Sequence, residues 1–438
     1  TGAFAGNAMR PPADRGPAGA GVGYLVSQYP ALSHTFIERE VRGVRASGLR
    51  VDTFSVRPAT PGDVLSAADR EAVAGTTVLQ RLPPSAWVRA FAPVLRHPVG
   101  YLGVLWRARH RGARGVRAAV WRLFYAVEAT LLVGQLARRG LRHVHVHLAN
   151  NGADIGRLAA ELGNALHRRS GRWTWSFTMH GPTEFRDVTA FDLAGKVRSA
   201  LFVACISEYC RSQLQLLVEP PFWDKLTVLH MGIEPERFPP LAATRSRRPP
   251  GPLRILFVGR LVPDKGPSLL VRAVSELVAT GQEVELALVG NGPLRQELEE
   301  LATAAGIAGR VQLPGGVGQD DILGWYEWAD VFCLPSFAEG LPVVLMEALA
   351  TELPVVTTGI VGIPELVVDG VNGRLVVPGR SDVLVEAIMS LVPAETRRAC
   401  GTAGRKAVLD GFVAADTSRA LAEVFRGTLE LPPPVLRP

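Results

Sequence analysis

Two carboxylates, Glu339 and Glu347, stand eight positions apart in "SFAEGLPVVLMEALA" (336–350), on either side of a Gly340-Leu341-Pro342 corner. Pro342 suits a first helical turn, so the corner reads as a helix entry whose free N–H groups form an anion site. Glu339 then lies just outside the helix and Glu347 roughly 7–8 Å along its axis, at 1.5 Å per residue. A glycosidase-type acid/base pair is one reading of the two. Another is a pair of hydrogen-bond acceptors for sugar hydroxyls beside bound phosphates. A third makes Glu339 a helix cap and Glu347 a solvated residue, but Val343, Val344, Leu345 and Met346 surround Glu347 with apolar neighbours. Burial of that carboxylate requires a partner.

Two cations belong to the same chemistry. "GRLVPDKGP" places Arg260 and Lys265 between a strand end and a helix start, with Gly259 and Gly266 permitting close backbone approach, as a diphosphate site requires. "GNGP" (290–293), with Asn291, follows the next strand and extends this surface. Neither loop carries the full G-x-G-x-x-G dinucleotide pattern. His180, in "FTMHGPTEF", stands at a strand end in the other half of the chain. His143, His145 and His147 alternate along one strand face and mimic a metal site, yet no carboxylate or cysteine adjoins them in sequence, and no metal is expected. Asp320 and Asp321 read as helix caps. Ser207 lacks a G-x-S-x-G elbow, which argues against a hydrolase.

The elements that position these residues alternate. Strands are expected at 22–27, 51–56, 143–148, 173–179, 200–205 and 226–229, then at 253–259, 283–290, "VQLPG", "DVFCLP" and "PVVTT", with helices between. Helices are predicted at 267–280, 293–305, 320–328, after Pro342, and near 381–391 and 394–409. Such alternation implies right-handed βαβ units and parallel sheets. The fold class is therefore α/β, with two Rossmann-like domains facing a cleft, since ligands of such sheets collect at the strand C-termini. Residues 1–20 read as a disordered leader, 21–238 as the N-terminal domain, 239–252 as a Pro- and Arg-rich linker, and 253–412 as the C-terminal domain. The last helix, within 413–438, is long enough to cross back to the first domain.

Composition narrows the setting. The chain has 438 residues, 47% hydrophobic, enough for two or more domains. Its four cysteines show no zinc-like spacing and point to reduced, buried thiols and the cytoplasm. No apolar run reaches the ~18 residues of a membrane-spanning helix. The net charge is +7, but only four of the 48 basic residues are lysines, so distribution matters more than the sum. Within 86–132, Arg107, Arg109, Arg111, Arg114, Arg117 and Arg122 interleave with Trp106, Trp121, Phe124 and Tyr125. A helix lying on an anionic lipid surface has this composition, and so does a solvated surface excursion.

"GRLVPDKG", "LVGNGP", "ADVFCLPSFAEGLPVVLMEALATELPVVTT" and "GIPELVVDGVNGRLV", in that order over 253–410, resemble the nucleotide-sugar domain of family-4 retaining glycosyltransferases with the GT-B fold. "YLVSQYPALSHTFIEREVRGVRASG", "HVHVHLANNGADIG" and "FTMHGPTEF" resemble the branch that builds exopolysaccharides of the colanic-acid type. The resemblance implies hexosyl transfer from a nucleoside-diphosphate sugar, UDP- or GDP-linked, to a saccharide acceptor carried on a lipid, with retention and without a metal or other cofactor. It implies that Arg260 and Lys265 hold the diphosphate, that the loop "GGVG" (315–318), with Gly316 and Val317, lines the base, that Gly259 and Asn291 belong to the donor-binding set, and that Glu347 accepts from the ribose. Glu339, with the N–H groups of Gly340 and Leu341, then contacts the transferred sugar, and His180 approaches it from the N-terminal domain. Tyr29, Ser33 and Thr35 are the acceptor-side candidates. The chain departs from the pattern at Met231, where many relatives carry Asn, and in "YPALSHTF", which replaces a glycine-rich loop. A transferase acting on a soluble metabolite and a noncatalytic sugar-nucleotide-binding scaffold are the alternatives; nucleic acid is not an expected partner.

Overall fold

A computed structural model describes residues 21–31, 35–60, 64, 67–113, 115–319 and 321–430. The proposed leader at 1–20 and the candidate Ser33 lie outside these.

Thirteen strands among the described residues form two all-parallel sheets. The first contains β1 (Val22–Gln28), β2 (Val51–Arg57), β3 (Thr77–Val78), β4 (His143–His147), β5 (Thr174–Met179), β6 (Val203–Cys205) and β7 (Leu226–Val228), in the order 3-2-1-4-5-6-7. The second contains β8 (Leu253–Val258), β9 (Val284–Val289), β10 (Val311–Gly315), β11 (Val331–Leu334), β12 (Val355–Thr358) and β13 (Gly373–Val376), in the order 10-9-8-11-12-13. Strand order reverses between β1 and β4 and again between β8 and β11. Loops diverge at such switch points and leave a crevice. Central strands read as near-continuous apolar runs because helices cover both sheet faces, and β11, "VFCL", is buried throughout.

Two strands, β3 and β13, are absent from the sequence reading. One is two residues long, and the other follows the "DGVNG" turn with only "GRLV" to mark it. The Arg-rich excursion is three helices rather than one: Pro84–Arg96, Pro98–Ala108 and Val116–Arg138. Pro98 starts a new helix at its first position, and Gly112 and Gly115, both at positive φ, turn the chain before the third.

The 239–252 stretch is not a loose linker. Arg245 donates to the Thr351 carbonyl at 2.7 Å, and Arg248 reaches Asp330 at 2.5 Å and the Trp328 carbonyl. Arginines there cover helix C-terminal carbonyls, a placement that the helix dipole favours. The crossings between the halves lie elsewhere and side by side. Ile233 N–H donates to the Phe412 carbonyl at 2.9 Å, and Ala414 N–H to the Ile233 carbonyl at 2.7 Å. Beyond the second crossing, helix Ala414–Leu429 packs on helix Thr35–Ala46, burying Leu421 and Phe425 against Tyr24, Ile37 and Val41. The side chain of Gly43 is absent where Ser418 approaches: a Cβ there would stand 2.5 Å from Ser418 Cβ.

Candidate active site

A cleft of about 740 Å³ opens between the two sheets at their switch points. The loop after β8 delivers Gly259, Arg260 and Lys265; the turn after β9 delivers Asn291; the loop after β10 delivers Gly316 and Val317. From the loop after β11 and helix Val343–Ala350 come Glu339, Gly340, Leu341 and Glu347, while His180 follows β5 from the opposite side. Every donor-side residue singled out in the sequence except Gly266 therefore lines one cavity; Gly266, at positive φ, approaches the Pro335 carbonyl instead. Thr35 lines the cavity too. Tyr29 does not: it is 3% exposed and packs in the core beside β1, with its N–H donating to Ser55 Oγ at 3.0 Å. An aromatic residue directly after a central strand serves the core here, which corrects its assignment to the acceptor side.

The Gly340 corner makes the two halves meet. A Cβ on Gly340 would lie 2.3 Å from the His180 carbonyl oxygen, so only glycine fits this approach. Pro342 is the residue preceding the helix, which begins at Val343. Glu339 accepts from Ser336 Oγ at 2.8 Å and pairs with Lys265 Nζ at 2.5 Å. Lys265 is thereby fixed at the cleft rim, and Arg260 is exposed beside it with no side-chain ion pair among the described residues. Asn291 Oδ1 accepts from Gly316 N–H at 3.1 Å, bracing the loop that the base would contact.

Glu347 is not a solvated helical residue. Its Oε1 is 3.3 Å from Arg39 Nη2, and its Oε2 accepts from the Tyr326 hydroxyl at 2.9 Å. Burial pushes this carboxyl above its ordinary range, and the Arg39 charge opposes the shift. The phenol of Tyr326 is pushed up as well, first by burial and then by the adjacent carboxylate.

His180 rests on a second polar chain. Its Nε2 is 3.2 Å from His147 Nδ1, and its ring stands 4.8 Å from that of Phe36. His147 Nε2 lies 3.1 Å from Glu40 Oε1 without hydrogen-bond alignment, and Glu40 Oε1 accepts from the Tyr24 hydroxyl at 2.8 Å. The histidine strand is thus not isolated from carboxylates, as its sequence neighbours suggest. Helix Thr35–Ala46 brings Glu40 to it, and Glu40, His145 and His147 present ligand atoms within 4.8 Å of one another. Both ring nitrogens of His145 are nevertheless taken, by Ser176 Oγ at 2.8 Å and Thr178 Oγ1 at 2.9 Å, and His143 is held likewise by Thr174 and Ser176. The β4–β5 register sets these pairs opposite each other. Burial lowers the His143 pKa to about 3 and that of His145 well below its usual value, so both rings are neutral.

Other decoys resolve simply. Ser207 caps helix Glu208–Gln215, accepting from Cys210 N–H at 3.1 Å. Asp321 occupies the cap position of helix Ile322–Trp328 but makes no cap hydrogen bond, and Asp320 is outside the described residues. All four cysteines are free and buried. Glu365, unremarked in the sequence, joins the halves by accepting from Glu208 N–H at 2.9 Å and Tyr209 N–H at 3.1 Å.

The same arrangement of two sheets occurs in solved structures. The Anabaena protein Alr3699/HepE in complex with UDP and glucose superimposes with a TM-score of 0.68 at 17% identity, over 92% of this chain and 98% of that one. The fold is GT-B.

On that GT-B frame, residues 243–407 match the family described as glycosyl transferases group 1, which covers the loops after β8 to β11 and helix Val343–Ala350. A GDP-mannose-dependent alpha-(1-6)-phosphatidylinositol monomannoside mannosyltransferase of Mycolicibacterium smegmatis is 32% identical over 52% of this chain and 63% of its own length. WcaL of Salmonella typhimurium, named for colanic acid biosynthesis, is 32% identical over 50% of this chain and 55% of its own. The chain therefore spans less than two thirds of the length of either relative.

Proposed function

We propose that this protein is a retaining glycosyltransferase that moves a hexosyl group from a nucleoside-diphosphate sugar to a lipid-linked saccharide, in the assembly of a polysaccharide or glycolipid. The observation that carries the reading is the single cleft in which Arg260, Lys265, Glu339, Glu347 and the Gly340-Leu341 corner converge opposite His180. In this reading the diphosphate lies against Arg260, Lys265 and the corner amides, which offset charge on the departing nucleotide. Glu347 reads the ribose, the loop at Gly316 and Val317 takes the base, and Glu339 and His180 frame the hexose. The acceptor hydroxyl attacks the anomeric carbon from the face of the leaving group. The bond to the phosphate oxygen breaks as the new glycosidic bond forms, and that oxygen takes the acceptor's proton. The chain's own cations supply the charge compensation, so no metal enters the scheme.

The relatives named for phosphatidylinositol mannoside and colanic acid synthesis favour a saccharide or glycolipid acceptor. A membrane setting on the cytoplasmic face is favoured by Trp106, Trp121 and Phe124, at 65%, 41% and 55% exposure, beside exposed Arg107 and Arg117. Two other arginines of the group turn inward: Arg111 pairs with Glu161 at 2.9 Å, and Arg122 donates to the Arg111 carbonyl at 3.2 Å. No helix among the described residues is long and apolar enough to cross a membrane.

A thermal-shift screen of UDP- and GDP-sugars, followed by turnover assays on the stabilising ones, tests the reading. It fails if no nucleotide sugar raises the melting point. Flotation with anionic vesicles tests the membrane part: binding should weaken with salt and with Trp121→Ser/Phe124→Ser, and absence of binding at low salt defeats it.

A further inference from the structure

We propose that Arg39, on the first helix of the N-terminal sheet, is a positioning residue for ribose recognition. It holds the Glu347 carboxylate across the boundary between the sheets, so the donor's vicinal diol is read only when the halves are together. The inference rests on the assignment of Glu347 to the ribose.

A carboxylate offers about four lone-pair positions, two on each oxygen. Arg39 takes one on Oε1 and the Tyr326 hydroxyl takes one on Oε2. One position on each oxygen is left, which matches the two donors of a cis-diol. Tyr326 comes from the same half as Glu347 and Arg39 from the other, so the carboxylate plane is fixed from both sides of the boundary. Glu347 lines the cleft, whereas Arg39 stands behind it and lines a separate cavity of about 20 Å³ with His230, Met231, Thr417 and Ser418. Arg39 does not line the cleft, so its action on the donor passes through Glu347.

Stability alone is a poor account of this arginine. Its side chain is 2% exposed, and Glu347 is the acidic partner it has among the described residues. Among the described residues, its Nε and Nη1 have no acceptor. A buried guanidinium paired through one nitrogen recovers little of its desolvation cost. Placement against the one carboxylate assigned to the ribose explains what packing does not. Arg39 also opposes the upward shift that burial imposes on the Glu347 carboxyl.

The test is calorimetry with UDP or GDP, whichever binds, its 2′,3′-dideoxy counterpart, and inorganic pyrophosphate, on the wild type, Arg39→Gln, Arg39→Lys and Glu347→Gln. The wild type is expected to prefer the ribose form by about tenfold or more, the worth of hydrogen bonds to a charged acceptor. Arg39→Gln should reduce that preference to within about threefold while pyrophosphate affinity is unchanged. A merely structural role would weaken all three ligands together. If Glu347→Gln abolishes the preference and Arg39→Gln retains it, the inference is overturned and the ribose assignment stands. If Glu347→Gln retains it, the ribose assignment falls and the inference with it. Should Arg39→Gln not fold, Arg39→Lys carries the comparison, since it keeps the charge but not the planar fork; full preference in that variant overturns the inference.

Discussion

Glu339 and Glu347 share a short segment but differ in what their loss does. Glu339 is tied to Lys265 and Ser336 at the rim, so Glu339→Gln is expected to lower turnover while leaving nucleotide affinity within a few fold. Glu347→Gln should weaken nucleotide binding and also strand Arg39, an unpaired buried charge worth about 3–5 kcal/mol of stability. Arg39→Met/Glu347→Gln should regain most of that loss in denaturant melts; additive losses would show that the pair is not coupled. Burial raises the Glu347 carboxyl above its unfolded value. The sign follows: this group withdraws stability as pH rises between its unfolded and folded values, whereas an ionised acceptor requires the pH to stay above the folded one. Affinity for a nucleotide sugar, whose diphosphate diester does not titrate there, should therefore begin to fall at a pH above the ordinary carboxylate range. A fall only near pH 4 would contradict this. The apolar neighbours in "VVLMEALA" made burial of Glu347 legible in the sequence. Its partners were not, because Arg39 is 308 positions away and Tyr326 is 21.

At the scale of elements, the corner before helix Val343–Ala350 decides how closely the halves meet. Gly340→Ala would drive a methyl into the His180 carbonyl, which backbone cannot yield without parting the two sheets. Turnover should drop by at least about tenfold, the effect of an ångström-scale misplacement at a reacting centre. Nucleotide affinity should fall too, by the share that the ribose supplies, because parting the sheets also separates Arg39 from Glu347; an unchanged turnover would show that the contact is dispensable. Helix Thr35–Ala46 shows why element faces are harder to read than elements. Ile37, Val41 and Val44 mark one apolar face, but Arg39 is buried on another, because the helix is enclosed by its own sheet, by helix Ala414–Leu429 and by the second half. An arginine in "FIERE" reads as solvated until those neighbours are present. The three helices at 84–138 were legible as helical but not as separate, since proline and glycine breaks give a bend no direction.

At the scale of the whole molecule, the buried histidine strand couples stability to pH. His143 and His145 remain neutral in the fold but protonate once the chain unfolds, so the unfolded state binds more protons below about 6.5. Stability is then fully present above that pH and lost as pH falls toward the folded values. Each ring contributes a slope on the order of 1.4 kcal/mol per pH unit. Thermal melts should decline from about pH 6.5 downward; a melting point flat to pH 5 would refute the assignment.

The sequence by itself determined the alternation of strands and helices, the two halves, and the loops that carry Arg260, Lys265, Asn291, Glu339 and Glu347. Each of these is written locally, in apolar runs, glycine turns and helix entries. Tertiary structure alone decided that Tyr29 belongs to the core, that Glu40 reaches the histidine strand, that the Arg-rich stretch at 239–252 docks on helix ends, and that Arg39 stands behind Glu347. The placement of Arg39 depends on which faces the two parallel crossings at Ile233 and Val413 bring together, and the other outcomes on packing within one half. Pairing across hundreds of residues leaves no periodic trace in a single chain.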